Sequence, residues 1–118
     1  KYIYTFFLGF LLINANAQFV INEVDADQPA ADTQEFVEIY GTPGSSLNGY
    51  LLVFFNGNAD GSGVNSYLTV DLTGNTIPAS GYFVYGNAAV PNVNLIATDN
   101  SIQNGPDAVT ITVVAVYR

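Results

Sequence analysis

The stretch that decides the fold is Glu35-Phe36-Val37-Glu38-Ile39-Tyr40, followed after nine residues by Tyr50-Leu51-Leu52-Val53-Phe54-Phe55. The first run alternates Val37 and Ile39 with charged or aromatic neighbours, which is typical of a strand with one buried face. The second run is apolar on both faces, which is typical of a central strand. Residues 41–49 are rich in turn formers. The two runs are therefore predicted to pair as an outer strand beside a central one.

The rest of the chain, after its first residues, also consists of strand and turn signals. A further strand is predicted at residues 67–72, where apolar and polar residues alternate cleanly. Its inward and outward sets are predicted to be Leu68, Val70 and Leu72 against Tyr67, Thr69 and Asp71. The other strands are predicted at residues 19–24, 81–86, 93–96 and 108–117. Seven short strands without helical periodicity predict an all-β protein, an immunoglobulin-like antiparallel β-sandwich.

Residues 1–17 have the features of a secretory signal peptide, which leaves residues 18–118 as one domain. Lys1 supplies a positive charge, residues 6–13 form an apolar core, and Ala15 and Ala17 place small side chains before a cleavage site at Gln18. The apolar run is shorter than the about 20 residues that span a bilayer. We therefore expect a protein that is secreted, extracellular or at the cell surface, with the periplasm as the alternative and with no membrane span after cleavage.

The charge balance is strongly acidic. The chain has ten Asp and Glu residues against two basic ones, and no Cys or His. Nucleic-acid binding depends on Lys and Arg side chains that displace counterions from phosphates, so this composition argues against direct nucleic-acid binding. The negative electrostatic field of such a chain favours the binding of divalent cations or basic partners. Without disulfides, stability has to come from the hydrophobic core.

Several segments carry a family resemblance. Ile21-Asn22-Glu23-Val24, residues 35–40 and Ser46-Leu47-Asn48-Gly49-Tyr50 resemble the opening strands of the lamin tail domain family, in its bacterial secreted branch. Gly81-Tyr82-Phe83-Val84 and Asn104-Gly105-Pro106-Asp107-Ala108-Val109 are similar to its later strand and its N-G-x-D-A-V segment. The chain departs from the family at its end, because it stops in mid-strand at Arg118 where similar domains continue. We therefore expect a sandwich that lacks its last strand or strands, or that diverts the final one.

The resemblance implies a non-catalytic module. In bacteria, the family is appended to secreted or surface enzymes or to adhesin-like proteins, and its motif brings no catalytic residues. We therefore predict a secreted binding, anchoring or structural module of a larger extracellular bacterial protein. The alternative is the accessory domain of a secreted hydrolase, of nuclease or phosphatase type, whose catalytic part lies outside this chain.

Enzymatic chemistry in the chain itself is restricted to carboxylates. Without His or Cys, neither Ser-His-Asp nor Cys-His relays can form. A glycosidase-like pair drawn from Glu23, Glu35 and Glu38 is conceivable, since two carboxylates at a suitable separation are enough. The favoured interpretation is that Glu35 and Glu38 lie at solvated or edge positions of a strand, or that Glu38 accepts backbone hydrogen bonds near the end of the sheet. We therefore predict no catalytic residues.

Oxygen-rich loops make calcium the one cofactor that the sequence suggests. Carboxylates, amides and backbone carbonyls are the ligands that Ca²⁺ prefers. Two loops carry such groups. The second, which begins at Asn56, resembles the first half of an EF-hand loop, but its twelfth position is Tyr67, and a flexible hairpin loop is the alternative account. The candidate ligands in the two loops are Asp25, Asp27 and Asp32, and Asn56, Asn58 and Asp60.

Aromatic residues and strand edges are the remaining candidates for binding. Core packing is the favoured interpretation for the strand aromatics, although Tyr40, Tyr50, Tyr67 and Tyr85 could form an exposed surface for a protein or a cell-surface glycan. Unpaired strand edges offer a second route, through strand addition or self-association.

Overall fold

The computed structural model describes residues 19–29, 31–57, 64–99, 101–105 and 107–114. The predicted signal peptide at residues 1–17 lies outside them. Within these ranges the protein contains strands and no helix. The strands are β1 (Phe19–Asp25), β2 (Phe36–Gly41), β3 (Tyr50–Gly57), β4 (Val64–Asp71), β5 (Tyr82–Gly86), β6 (Leu95–Ile96) and β7 (Ala108–Val113).

The strands form two sheets, and this corrects the predicted pairing of the first two runs. One sheet has the order β1-β2-β5-β6 and the other the order β4-β3-β7. Strand β2 pairs with β1 and β5, whereas β3 pairs with β4 and β7, so the two runs lie in different sheets. Each run is an inner strand of its own sheet.

The segment between β2 and β3 explains why they do not pair. Residues 42–49 do not form a hairpin turn but run beside residues 72–81, which connect β4 to β5. The Leu47 amide donates to the Asn75 carbonyl at 2.9 Å, and the Ile77 amide donates to the Ser45 carbonyl at 2.9 Å. Leu47 is fully buried. The buried Leu47 side chain holds residues 42–49 against the core, and these residues connect β2 in one sheet to β3 in the other.

The prediction of antiparallel pairing holds except between β5 and β6, which are parallel. Residues 87–94 turn the chain back along β5, and the Asn94 amide donates to the Val84 carbonyl at 2.9 Å. Asn92 lies in this turn with φ of 59°, a left-handed conformation that asparagine tolerates better than most residues. A short return of this kind supports only a two-residue strand.

The inner faces of the two sheets share one hydrophobic core. The inward positions predicted for Val37 and Ile39 are confirmed, since both are fully buried, but Glu35, predicted on the opposite side, is buried with them. Burial of each large apolar side chain contributes about 1.5–3 kcal/mol, which offsets the missing disulfides. The core includes Phe19, Leu47, Leu52, Phe54, Leu72, Ile77, Phe83, Tyr85, Ala97 and Ile102.

Tyr67 departs from its predicted outward position. The register of β3 and β4 passes from Phe54 opposite Leu68 to Phe55 opposite Ser66, which leaves Tyr67 as an extra residue in a bulge. A bulge redirects the side chain of the added residue. Tyr67 packs against the core, with its ring centroid 6.1 Å from that of Phe54.

Candidate functional site

Two tyrosines lie side by side on the outer face of the four-stranded sheet. Tyr40 of β2 and Tyr82 of β5 are cross-strand partners, and their ring centroids are 5.4 Å apart at an interplanar angle of 51°. They are 50% and 40% exposed. Because Val37 and Ile39 point inward, the alternation of β2 places Glu38 and Tyr40 outward together. We call this surface, centred on Glu38, Tyr40 and Tyr82, the tyrosine face.

An open groove of about 570 Å³ lies beside the tyrosine face. Tyr82 and Glu38 belong to its wall, and Val84, only 6% exposed, also lines it. The Asn94 Oδ1 accepts a hydrogen bond from the Val84 amide at 2.8 Å, which fixes the Asn94 side chain. Its Nδ2 has no partner among the described residues. The groove therefore combines apolar walls with amide and carboxylate groups.

Glu38 is held in place by a neighbouring strand. The register of β1 shifts between Ile21 and Glu23, which leaves Asn22 as an extra residue opposite β2. The Asn22 Nδ2 donates to Glu38 Oε1 at 2.7 Å. This contact orients the Glu38 carboxylate before any ligand arrives.

The structure brings together two of the three carboxylates considered for catalysis and leaves the third apart. Glu23 and Glu38 are opposite each other in the β1–β2 register. Glu35, three residues before Glu38, lies on the inner side of β2 and is 1% exposed. The expectation that Glu35 lies at a solvated position is wrong. The prediction that the chain has no catalytic residues stays a prediction.

Glu35 is the most deeply buried acidic residue among those described. Its amide donates to Asn87 Oδ1 at 2.7 Å, and its carbonyl accepts from the Asn87 amide at 2.9 Å, so its backbone is fully engaged. The Glu35 Oε2 atom is buried without a hydrogen-bond partner. Burial, followed by repulsion from Asp32 and Asp25, raises the pKa of Glu35 above its ordinary value. The carboxyl group therefore favours its protonated form more than a solvated glutamate does.

The first predicted calcium loop uses its carboxylates for internal hydrogen bonds. Asp25 Oδ1 accepts from the Asp27 amide at 3.4 Å. Asp32 accepts from Asn104 Nδ2 at 2.9 Å and from the Gln28 amide at 3.1 Å. The Asn104 bond, then the Gln28 bond, lowers the pKa of Asp32. Within the described ranges no three acidic side chains are grouped as a metal site.

The second predicted calcium loop is described only at its start. The Asn56 Nδ2 donates to Gln103 Oε1 at 3.2 Å. Asn58 and Asp60 lie outside the described residues. Calcium binding at either loop stays a prediction.

Tyr50, Tyr67 and Tyr85 pack in or against the core, which confirms the favoured interpretation for these three. Tyr85 is buried, and the Tyr67 hydroxyl accepts from the Gln103 amide at 3.1 Å. Burial is the main cause of the raised pKa of Tyr67. The Tyr50 and Phe19 rings meet edge to face at 4.7 Å. Tyr40 is the exception, and its partner Tyr82 was not among the predicted surface residues, because only the β2–β5 register reveals that the two rings are adjacent.

Comparison with protein families, with curated proteins and with solved structures found no match. In the part of the chain that the structure describes, no helix has the length and apolar character needed to cross a membrane.

Proposed function

We propose that this protein is a non-catalytic binding or anchoring module that acts outside the cell through its tyrosine face. The observation that carries the proposal is the adjacent, half-exposed pair Tyr40 and Tyr82 at the edge of a groove. Tyrosine is well suited to recognition, because its ring offers a large apolar contact surface and its hydroxyl offers a hydrogen bond.

The cross-strand contact between Tyr40 and Tyr82 stabilises the sheet, but it leaves both rings about half exposed. The core is complete without Tyr40 and Tyr82, since the inward residues of both strands fill it. Exposed rings leave apolar surface in contact with water, and their removal from water on binding is favourable. Rigid aromatic side chains also lose little conformational entropy when they bind. A binding role accounts for both residues together.

The proposed fold is an immunoglobulin-like sandwich of the lamin tail type, as one module of a larger extracellular protein. Two sheets with a shared core support this proposal. The segments that carry the resemblance fall on β1, on β2, at the entry to β3, on β5 and at the start of β7. Secretion rests on the features of residues 1–17.

The test is binding of the chain to isolated bacterial envelopes. The double variant Tyr40→Ala/Tyr82→Ala should bind about fivefold to 150-fold more weakly than the wild type, because each lost ring contact is worth about 0.5–1.5 kcal/mol. The matched control Tyr40→Phe/Tyr82→Phe keeps both rings and should retain most of the binding. Thermal unfolding of each variant shows whether the sheet is intact. Equal binding by the wild type and the alanine variant would refute a role for the tyrosine face.

A further inference from the structure

The chemistry of the tyrosine face restricts what it can bind. The two rings form an apolar strip, with centroids 5.4 Å apart and planes at 51° to each other, and of the two only Tyr82 lines the groove. A volume of about 570 Å³ lies within the range of small-molecule sites. A stable protein interface, by contrast, needs roughly 800 Å² on each partner. The exposed apolar row across β1, β2 and β5 consists of Val20, Tyr40 and Tyr82 and is one residue wide, which favours a narrow ligand over a broad protein surface.

The polar groups around the rings are positioned in advance. Glu38 presents a carboxylate oriented by Asn22 at 2.7 Å. Asn94 presents an amide whose carbonyl oxygen is already occupied by the Val84 amide, which directs its Nδ2 as a donor. Carboxylates form strong hydrogen bonds with hydroxyl donors, and groups fixed before binding lose little entropy. The site therefore combines one acceptor with one donor at the border of an aromatic strip.

The charge of the protein disfavours anionic ligands. Its two basic residues, Lys1 and Arg118, both lie outside the described part of the chain, and the formal net charge is −8. Glu38 adds a local negative charge beside the rings. Phosphate, sulfate and uronate groups would therefore be repelled. These features favour a ligand that is neutral or cationic, with apolar faces and hydroxyl edges.

We propose that the tyrosine face binds a neutral polysaccharide chain. Sugar rings have C–H faces that pack on Tyr40 and Tyr82, and hydroxyl edges that donate to Glu38 and accept from Asn94. This inference rests on the proposed function, because it names the class of ligand for the same face.

The test uses the full chain and defined saccharides in isothermal titration calorimetry. The neutral probes are cellohexaose, xylohexaose, mannohexaose and maltohexaose, with polygalacturonate as the anionic probe and a chitosan oligomer as the cationic one. We expect binding of at least one neutral hexasaccharide and none of polygalacturonate. Tyr40→Ala/Tyr82→Ala should weaken it by about fivefold to 150-fold. Tyr40→Phe/Tyr82→Phe should retain binding, and Glu38→Gln should reduce it because the charged acceptor is lost.

Other outcomes separate this inference from the proposed function. Binding to chitosan alone, abolished by salt and unchanged in the alanine variant, would show simple charge attraction and overturn the inference. Envelope binding that depends on the tyrosines, survives periodate oxidation of sugars and is lost after protease treatment would indicate a protein partner. The proposed function would then stand and the glycan inference would fall. If neither saccharides nor envelopes bind through the tyrosines, both fall.

Discussion

At position 35 a carboxyl group lies where the alternation of β2 favours an apolar side chain. Val37 and Ile39 share this inner face and are fully buried. Their spacing was readable in the sequence, and it places Glu35 on the same side of the strand. Glutamate is rarely buried, so a solvated position was the natural expectation. The contacts with Asn87, which is remote in sequence, bury the residue, and local patterning does not reveal them.

The burial of Glu35 predicts a pH dependence of stability. A carboxyl group whose pKa is raised in the folded state binds more protons when folded than when unfolded. Its contribution to stability is therefore complete below its ordinary value of 4.5 and is lost as the pH rises through the higher folded pKa. Asp32 acts in the opposite direction, because its lowered pKa gives stability that is lost as the pH falls.

Glu35→Gln tests this contribution. The variant removes the charge but keeps the shape, so the free energy of unfolding of the variant relative to wild type should rise by about 1–3 kcal/mol between pH 4 and pH 7. Urea unfolding at several pH values measures this difference. Glu23→Gln, at an exposed position of β1, is the matched control and should show a much smaller change. A difference for Glu35→Gln that stays constant with pH would contradict a buried, protonation-sensitive carboxyl.

At the scale of the element, the sequence predicted strands far better than their partners. Short-range alternation identifies a strand because successive side chains of a strand point to opposite faces, and turn residues mark where the strand ends. Pairing depends on where the connections run. Residues 42–49 contain the turn formers of a hairpin, yet Leu47 inserts into the core and directs the chain to the other sheet. The tyrosine face depends on the same kind of long-range register. The sequence alone therefore predicted Tyr40 as a surface residue but not its cross-strand partner Tyr82.

Strand β7 is an edge strand with an unusual composition. It lies at the end of the order β4-β3-β7, and residues 108–114 contain no charge, no Pro and no Gly. Natural edges commonly carry charges or bulges that prevent pairing between molecules. Strand β4, at the opposite edge, has both a bulge at Tyr67 and the charged Asp71. Pairing between copies is therefore expected at β7 rather than at β4.

Thr112→Lys tests self-association through β7. Thr112 is exposed, and a lysine there should weaken concentration-dependent association by about tenfold or more, because a charge would be brought into the new sheet interface. Sedimentation velocity over a concentration series measures the effect. Thr69→Lys, at an exposed position of β4, changes the net charge by the same amount as Thr112→Lys and should leave association unchanged. A wild-type protein that remains monomeric at every concentration would remove the basis for this prediction.

Across the whole molecule, the described residues include many carboxylates but no Lys, Arg or His side chain. Neither Lys1 nor Arg118 falls within them, so the described acids have no Lys or Arg partner among the described residues. Acidic groups of like charge repel one another when the chain is compact, and this repulsion lowers stability. Composition alone predicts this property, because it requires no knowledge of the fold.

Added salt should therefore stabilise the protein. Raising NaCl from about 10 mM to 500 mM shortens the screening length from about 30 Å to below 8 Å. We expect a gain of about 1 kcal/mol, or roughly 4–8 °C in melting temperature for a domain of this size, measured by differential scanning calorimetry. CaCl₂ at matched ionic strength separates screening from the predicted calcium binding, since a specific site would add stability beyond the NaCl curve and saturate with concentration. A melting temperature that falls with NaCl would show that repulsion among the carboxylates does not limit the stability of this fold.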